Sequence, residues 1–177
     1  MKRRNPIIRF LKHLASHTWQ VRKHFSINAL KNIEHAIKTS ESTHLGEIRF
    51  VVEAGLHPLE ILTKKTPKNR ALELFAQFNV WDTQHNTGVL IYLLLADRDV
   101  EIVADRGIHQ KVGAKAWETI CHAMEVKFRL GEFEAGVLQG IEDIGMHLQK
   151  FYPIDFLDTQ PLNIKNNNEI SDKPIIL

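Results

Sequence analysis

The chain has 177 residues, 44% of them hydrophobic and 25% charged, one cysteine and a formal net charge of +2. That length supports one domain with a sizeable core, and a single cysteine excludes an internal disulfide framework. No uninterrupted apolar run approaches the roughly 18 residues that span a bilayer. Residues 1–25 carry Lys2, Arg3, Arg4, Arg9, Lys12, Arg22 and Lys23 and no acid, so against the overall +2 the remaining chain stands at −5. A basic arm on an acidic domain points to an anionic membrane surface or an acidic partner protein, or to a solvated helix face; no nucleic-acid partner is expected.

Asn5-Pro6 is a good helix start. Ile7, Leu11, Leu14, Thr18, Val21 and Phe25 then recur at helical spacing with basic residues between them. The pattern predicts a basic amphipathic helix over residues 6 to about 23, with its apolar stripe packed on the domain in preference to lying on lipid. Arg9 and Lys12 break the apolar stretch too early for a signal peptide, which places the protein in the cytoplasm, with peripheral attachment to the inner membrane face open. His13 and His17 stand one helical turn apart, a spacing that can hold a metal, but no third ligand lies nearby and a structural or surface role is expected.

Ser26 caps a second predicted helix to about Thr39, with Ile27, Leu30, Ile33 and Ile37 on one face. Residues 47–53 alternate as a strand, 55–66 read as a connection, and Pro67 opens a helix to about Val80. Residues 88–96 are apolar on both faces and therefore central in a covered sheet, and Asp97-Arg98-Asp99 turns the chain into an antiparallel strand over 100–106. The unit strand, helix, strand from 47 to 96 should be parallel and right-handed. Gly107 to Gly113 reads as a loop. Two helices follow, about 114–130 and 132–152. The first carries Cys121 on its apolar face as an inert thiol, and the second uses Gly136, Gly140 and Gly145 for close packing. The division is an N-terminal helix over 1–25, an α/β domain over 26–152 and a mobile tail over 153–177. The fold class is α/β, a three-layer α/β/α sandwich with a small mixed central sheet.

Dinucleotide, P-loop, nucleophile-elbow and paired-cysteine zinc signatures are all missing. Two carboxylate clusters remain. The loop before the first hairpin strand and the loop after the second should lie side by side, offering Asp82, Asn86 and Asp105 to Ca2+ or Mg2+, with Arg106 for a phosphate. Glu53, Asp97 and Asp99, at the carboxyl ends of the strands, form the second-ranked cluster.

The segments Glu47-Ile-Arg-Phe-Val-Val, Phe75 to Trp81, Asn86-Thr-Gly-Val-Leu-Ile, Ala96-Asp-Arg and Phe128-Arg-Leu-Gly-Glu-Phe133 together resemble the TPM domain, over about two thirds of the chain. That family is named for a thylakoid lumen protein, a photosystem II repair protein and a nematode receptor modulator. The layout is similar to its short bacterial branch without a signal peptide, which often accompanies a LemA-type membrane protein. The resemblance implies the same α/β/α sandwich, and one of three roles: phosphatase activity, calcium binding, or assembly and repair of membrane complexes. Where many members carry Gly-Tyr-Gly after the third strand, this chain has Asp105-Arg106-Gly107, and the usual aspartate before the first domain helix is not evident near Phe25. Whether the protein is an enzyme stays open. The preferred expectation is a non-catalytic accessory domain that binds a partner protein at the inner membrane surface. The alternative is a divalent-metal-dependent phosphatase of low activity.

Overall fold

A computed structural model of the chain describes residues 6–154 and 168–177. Its sheet begins with β1 (Glu47–Glu53), β2 (Gly88–Leu94) and β3 (Asp99–Ala104). All seven residues of β2 are buried, because the strand lies inside the sheet order β3-β2-β1-β4 and both of its faces are covered. β1 and β2 are parallel, with Phe50 opposite Ile91, and β2 and β3 are antiparallel, with Ile91 opposite Ile102. The parallel pair needs a crossover. Helix α5 (Pro67–Gln77) supplies it, opened by the Thr66 hydroxyl accepting from the Asn69 N–H at 3.1 Å.

Side chains alternate across the sheet into two cores. On one face, Phe50, Val52, Val89, Ile91 and Leu93 meet helices α3 (Ile27–Glu41), α7 (Ala114–Leu130) and α8 (Phe133–Phe151). On the other, Val51, Leu90, Tyr92 and Leu94 meet Ala71 and Leu74 of α5. The α/β/α sandwich expected from the sequence is therefore the fold. Ser26 caps α3 as expected, its hydroxyl accepting from the Ala29 N–H at 3.1 Å. The glycines of α8 let helices touch. A β-carbon on Gly136 would stand 2.6 Å from the Phe128 ring, and one on Gly140 would stand 2.5 Å from the Met124 sulfur.

Four expectations need correction. The N-terminal helix is two helices, α1 (Pro6–Leu14) and α2 (Thr18–His24), broken at residues 15–17. The α1 stripe does not pack on the domain: Ile7, Leu11 and Leu14 are 68%, 56% and 52% exposed, whereas Val21 and Phe25 are buried. The supposed connections at 55–66 and 107–113 contain short helices, α4 (Pro58–Leu62) and α6 (Arg106–Val112). Both helices are capped locally, by His57 and by Asp105, which a search for long apolar periods does not detect. Finally, the sequence predicts a mobile tail over 153–177. Residues 155–167 lie outside the described residues, but the last residues form β4 (Ile175–Ile176), paired in parallel with β1 at Val51 and Val52.

This last segment is held over a set of buried carboxyls. Glu47 accepts from the Ile170 N–H at 3.2 Å, and Glu41 accepts from the Ile48 N–H at 2.7 Å. Asp172 is buried beside them, and Arg49 donates to the Ser171 carbonyl. Burial, followed by the Glu47 charge, pushes the Glu41 carboxyl up to about 9, and burial pushes Glu47 up to about 7. Burial lowers His44 to about 4.

These shifts set a pH dependence. Above about pH 5 the unfolded chain has lost protons that Glu41 and Glu47 still hold in the fold. Their contribution therefore falls as pH rises, for Glu47 until about 7 and for Glu41 until about 9. His44 opposes this only below its ordinary value of 6.5. Urea unfolding should show stability dropping by on the order of 2 kcal/mol from pH 7 to pH 9. Glu41→Gln, which stays neutral, should abolish that drop.

Candidate functional site

The carboxyl ends of β1 and β2 carry two of the buried carboxylates, Glu53 and Asp97. Glu53, at the end of β1, accepts two bonds from the Arg70 guanidinium of α5, at 3.0 and 2.9 Å, and one from the Tyr92 hydroxyl at 2.6 Å. A bidentate arginine plus a phenol saturates this carboxylate. Its hydrogen bonds raise the Arg70 guanidinium, while burial and then the Glu53 charge raise the Tyr92 phenol.

Asp97, in the β2–β3 turn, is gripped from the other side. The Arg9 Nε donates to its Oδ2 at 2.9 Å, and the His13 Nε2 lies 3.2 Å from the same oxygen. His13 Nδ1 accepts the Leu56 N–H at 2.9 Å. The ring proton therefore sits on Nε2 and is donated to Asp97. Burial alone would raise the Asp97 carboxyl, but the hydrogen bonds from His13 and Arg9 and the Arg9 charge hold it well below the usual carboxylate range. Arg9 and His13 stand one turn apart on the side of α1 away from Leu11. The helix is thus docked by its polar side, close against Gly55, where a β-carbon would lie 2.8 Å from Ser16 Cβ.

The second-ranked cluster is therefore divided between different partners: Glu53 belongs to Arg70 and Tyr92, Asp97 to α1, and Asp99 opens β3 opposite Leu94. Among the described residues no group of three or more His, Cys, Asp or Glu side chains is placed to hold a metal ion.

The first-ranked residues lie at the opposite end of the sheet. Asn86 and Asp105 do come to neighbouring loops, since the Ile108 N–H bonds to the Asn86 carbonyl at 3.2 Å and the Asp105 N–H to the Gly88 carbonyl at 2.8 Å. Asp105 caps α6, its Oδ1 accepting the Arg106 N–H at 2.6 Å. Its Oδ2 is buried with no hydrogen-bond partner among the described residues. Asp82 instead lines a separate hollow with Arg49, Phe78 and Glu169. Arg106 is exposed. Cys121 is packed against the first core, and burial pushes its thiol up to about 12, so it is no nucleophile at neutral pH.

Beside α1 lies a cleft of about 670 Å³, walled by the α1–α2 break, the β2–β3 turn and the last turn of α7. Lys12, Trp19, Lys23, Arg98 and Arg129 line it. Sequence reasoning missed both this cleft and the docking of α1. Only the spacing of Arg9 and His13, on the side opposite the apolar stripe, hinted at the docking.

The TPM domain model matches residues 22–147. Comparison with curated proteins gives no match. Among solved structures, the chain is similar to the NMR structure of the BA42 protein from the psychrophilic bacterium Bizionia argentinensis. The two share 27% identity and a TM-score of 0.72, over 86% of this chain and 95% of that one. It also has the fold of an N-terminal domain from P. gingivalis, at 20% identity and a TM-score of 0.56, over 85% and 94% of the two chains.

Removing His13 leaves the Leu56 N–H and the Asp97 carboxylate each short of a buried partner. His13→Ala should cost about 2 to 4 kcal/mol in urea unfolding. A loss below about 0.5 kcal/mol, the range of ordinary surface changes, would contradict the docking of α1 described above.

Proposed function

This chain belongs to the TPM domain family, and from that premise we propose that it is a non-catalytic accessory domain that binds a partner protein at an anionic membrane surface. The orientation of α1 is the observation that carries this reading. Arg9 and His13 are spent on Asp97, so Ile7, Leu11 and Leu14 face outward. Helix α4, packed beside α1, adds Leu59 and Leu62 at 64% and 67% exposure. Scattered surface leucines need no explanation, but apolar side chains gathered on two adjacent helices mark an interaction surface. Lys12 stands exposed on α1 and Lys64 in the turn just after α4. Lysine close to an anionic bilayer contributes about 1 kcal/mol per residue, and a half-immersed helix supplies the apolar remainder. No helix among the described residues is long and apolar enough to cross a membrane, so contact by this face is peripheral.

The absence of catalytic function is part of the same proposal. The carboxylates at the strand ends, Glu53 and Asp97, are engaged by the guanidinium groups of Arg70 and Arg9, which gives them structural roles. A Ca2+-assisted role at Asp82, Asn86 and Asp105 is less well supported, because Asp105 serves as a helix cap and Asp82 faces another hollow.

Co-sedimentation tests the reading. The protein should bind phosphatidylserine-containing vesicles at low salt and lose binding at high salt. The Leu11→Ser, Leu14→Ser pair should weaken that binding about tenfold or more, since each removes apolar surface available to the interface. The same pair should leave urea stability within about 0.5 kcal/mol, because neither side chain is buried. Full-strength vesicle binding by the pair, or no binding by the unaltered chain, would refute the membrane role.

A further inference from the structure

The cleft beside α1 has a charge that the fold itself does not use. Lys12, Lys23, Arg98 and Arg129 enter it from α1, α2, the β2–β3 turn and α7, and among the described residues none of them forms an ion pair. Of the two acids in its wall, Asp97 is already engaged by Arg9 and His13, which leaves Glu125. The excess is positive. His24, on the same wall, reports that field: burial first, then the charges of Lys23 and Arg98, lower its pKa.

Arg98 is held in place at a cost. Its φ of +49° lies in the left-handed region, where glycine or asparagine would close the turn more cheaply, by about 1 kcal/mol. Its guanidinium donates to the Arg129 carbonyl at 3.4 Å and lies 5.9 Å from the centre of the Phe133 ring. The two arginines are thereby brought to one wall at the carboxyl end of the parallel strands, the end at which open α/β sheets bind ligands. Trp19, 61% exposed, stands opposite as an amphipathic edge of the kind favoured at membrane interfaces.

We infer that this cleft binds a phosphate-type oxyanion, the headgroup phosphate of an acidic lipid being the source that fits the membrane face of α1. The inference rests on the accessory-domain reading for its source and on the cleft alone for its chemistry. Guanidinium and ammonium groups converging from several elements are the usual means of holding a dianion. The cleft binds and does not hydrolyse. Its one serine hydroxyl, that of Ser16, is already donated to the Lys12 carbonyl at 2.7 Å.

Titration of the full chain with inorganic phosphate at constant ionic strength tests the chemistry. In amide NMR spectra, Lys23, His24, Arg98 and Arg129 should shift saturably, and the His24 ring should titrate at higher pH when phosphate is bound. The Lys23→Gln, Arg129→Gln pair should weaken this binding about tenfold. The Lys31→Gln, Lys115→Gln pair, with the same change of net charge on other exposed helix positions, should leave it unchanged. Vesicles of phosphatidic acid and of phosphatidylserine, matched in surface charge, distinguish the sources. Tighter binding to phosphatidic acid that the cleft pair abolishes assigns a lipid headgroup. Saturable phosphate shifts without that preference assign a free phosphate compound and keep the cleft. Unsaturable shifts, or equal weakening by both charge pairs, would overturn the site. The Leu11 and Leu14 variants on phosphatidylserine vesicles read the accessory-domain proposal separately, so the two fail independently.

Discussion

A strand whose seven residues all lie out of water must be covered on both faces, and β2 is that strand. The requirement propagates outward. Its even and odd positions feed two separate cores, so the sheet needs α5 on one side and α3, α7 and α8 on the other. Burial also makes its polar tip expensive. Tyr92 sits among apolar neighbours with its hydroxyl on Glu53, and Glu53 is tolerated there only because Arg70 completes its hydrogen bonds. A buried ion pair of this kind contributes little net stability, but losing either partner is costly, so it works as a constraint on geometry.

Asp97 extends that constraint to the surface. Placed by the hairpin turn and largely withdrawn from water, it needs cationic or N–H partners, and Arg9 and His13 supply them. Satisfying the aspartate fixes the rotation of α1. Since the polar side of the helix faces inward, its apolar side must face outward. The surface proposed to meet a membrane is thus the consequence of a buried carboxylate. The cleft beside it follows from the same docking, because the break after α1 forms one of its walls.

At the far edge of the sheet a different solution appears. The β1 edge is covered by a two-residue strand and by a segment resting on neutralised carboxyls. Edge strands are usually protected by charge or by a covering segment. Here the cover rests on the carboxyls of Glu41 and Glu47, whose proton affinity burial raises, which couples the sheet edge to pH.

The amino-acid sequence by itself determined the layers. A run such as Gly88 to Leu94 admits only a central strand, and the turn Asp97-Arg98-Asp99 only a hairpin. The stripes over about 26–39, 114–130 and 132–152 predict helices packed on one side, and the structure has them at Ile27–Glu41, Ala114–Leu130 and Phe133–Phe151. These follow from local periodicity, which reports burial wherever burial repeats regularly. Tertiary structure decided the rest. Hydrophobic spacing finds the stripe of α1 but cannot say which side docks, because that depends on Asp97, which lies 84 residues from His13. Asp105 reads as a ligand in sequence, yet the chain places it where α6 needs a cap. Ile175 and Ile176 carry no periodic signal, being only two residues long, and become a strand only because β1 offers an open edge. Isolated polar contacts between distant segments leave no repeating trace along the chain, and in this protein those contacts select which side of α1 faces outward.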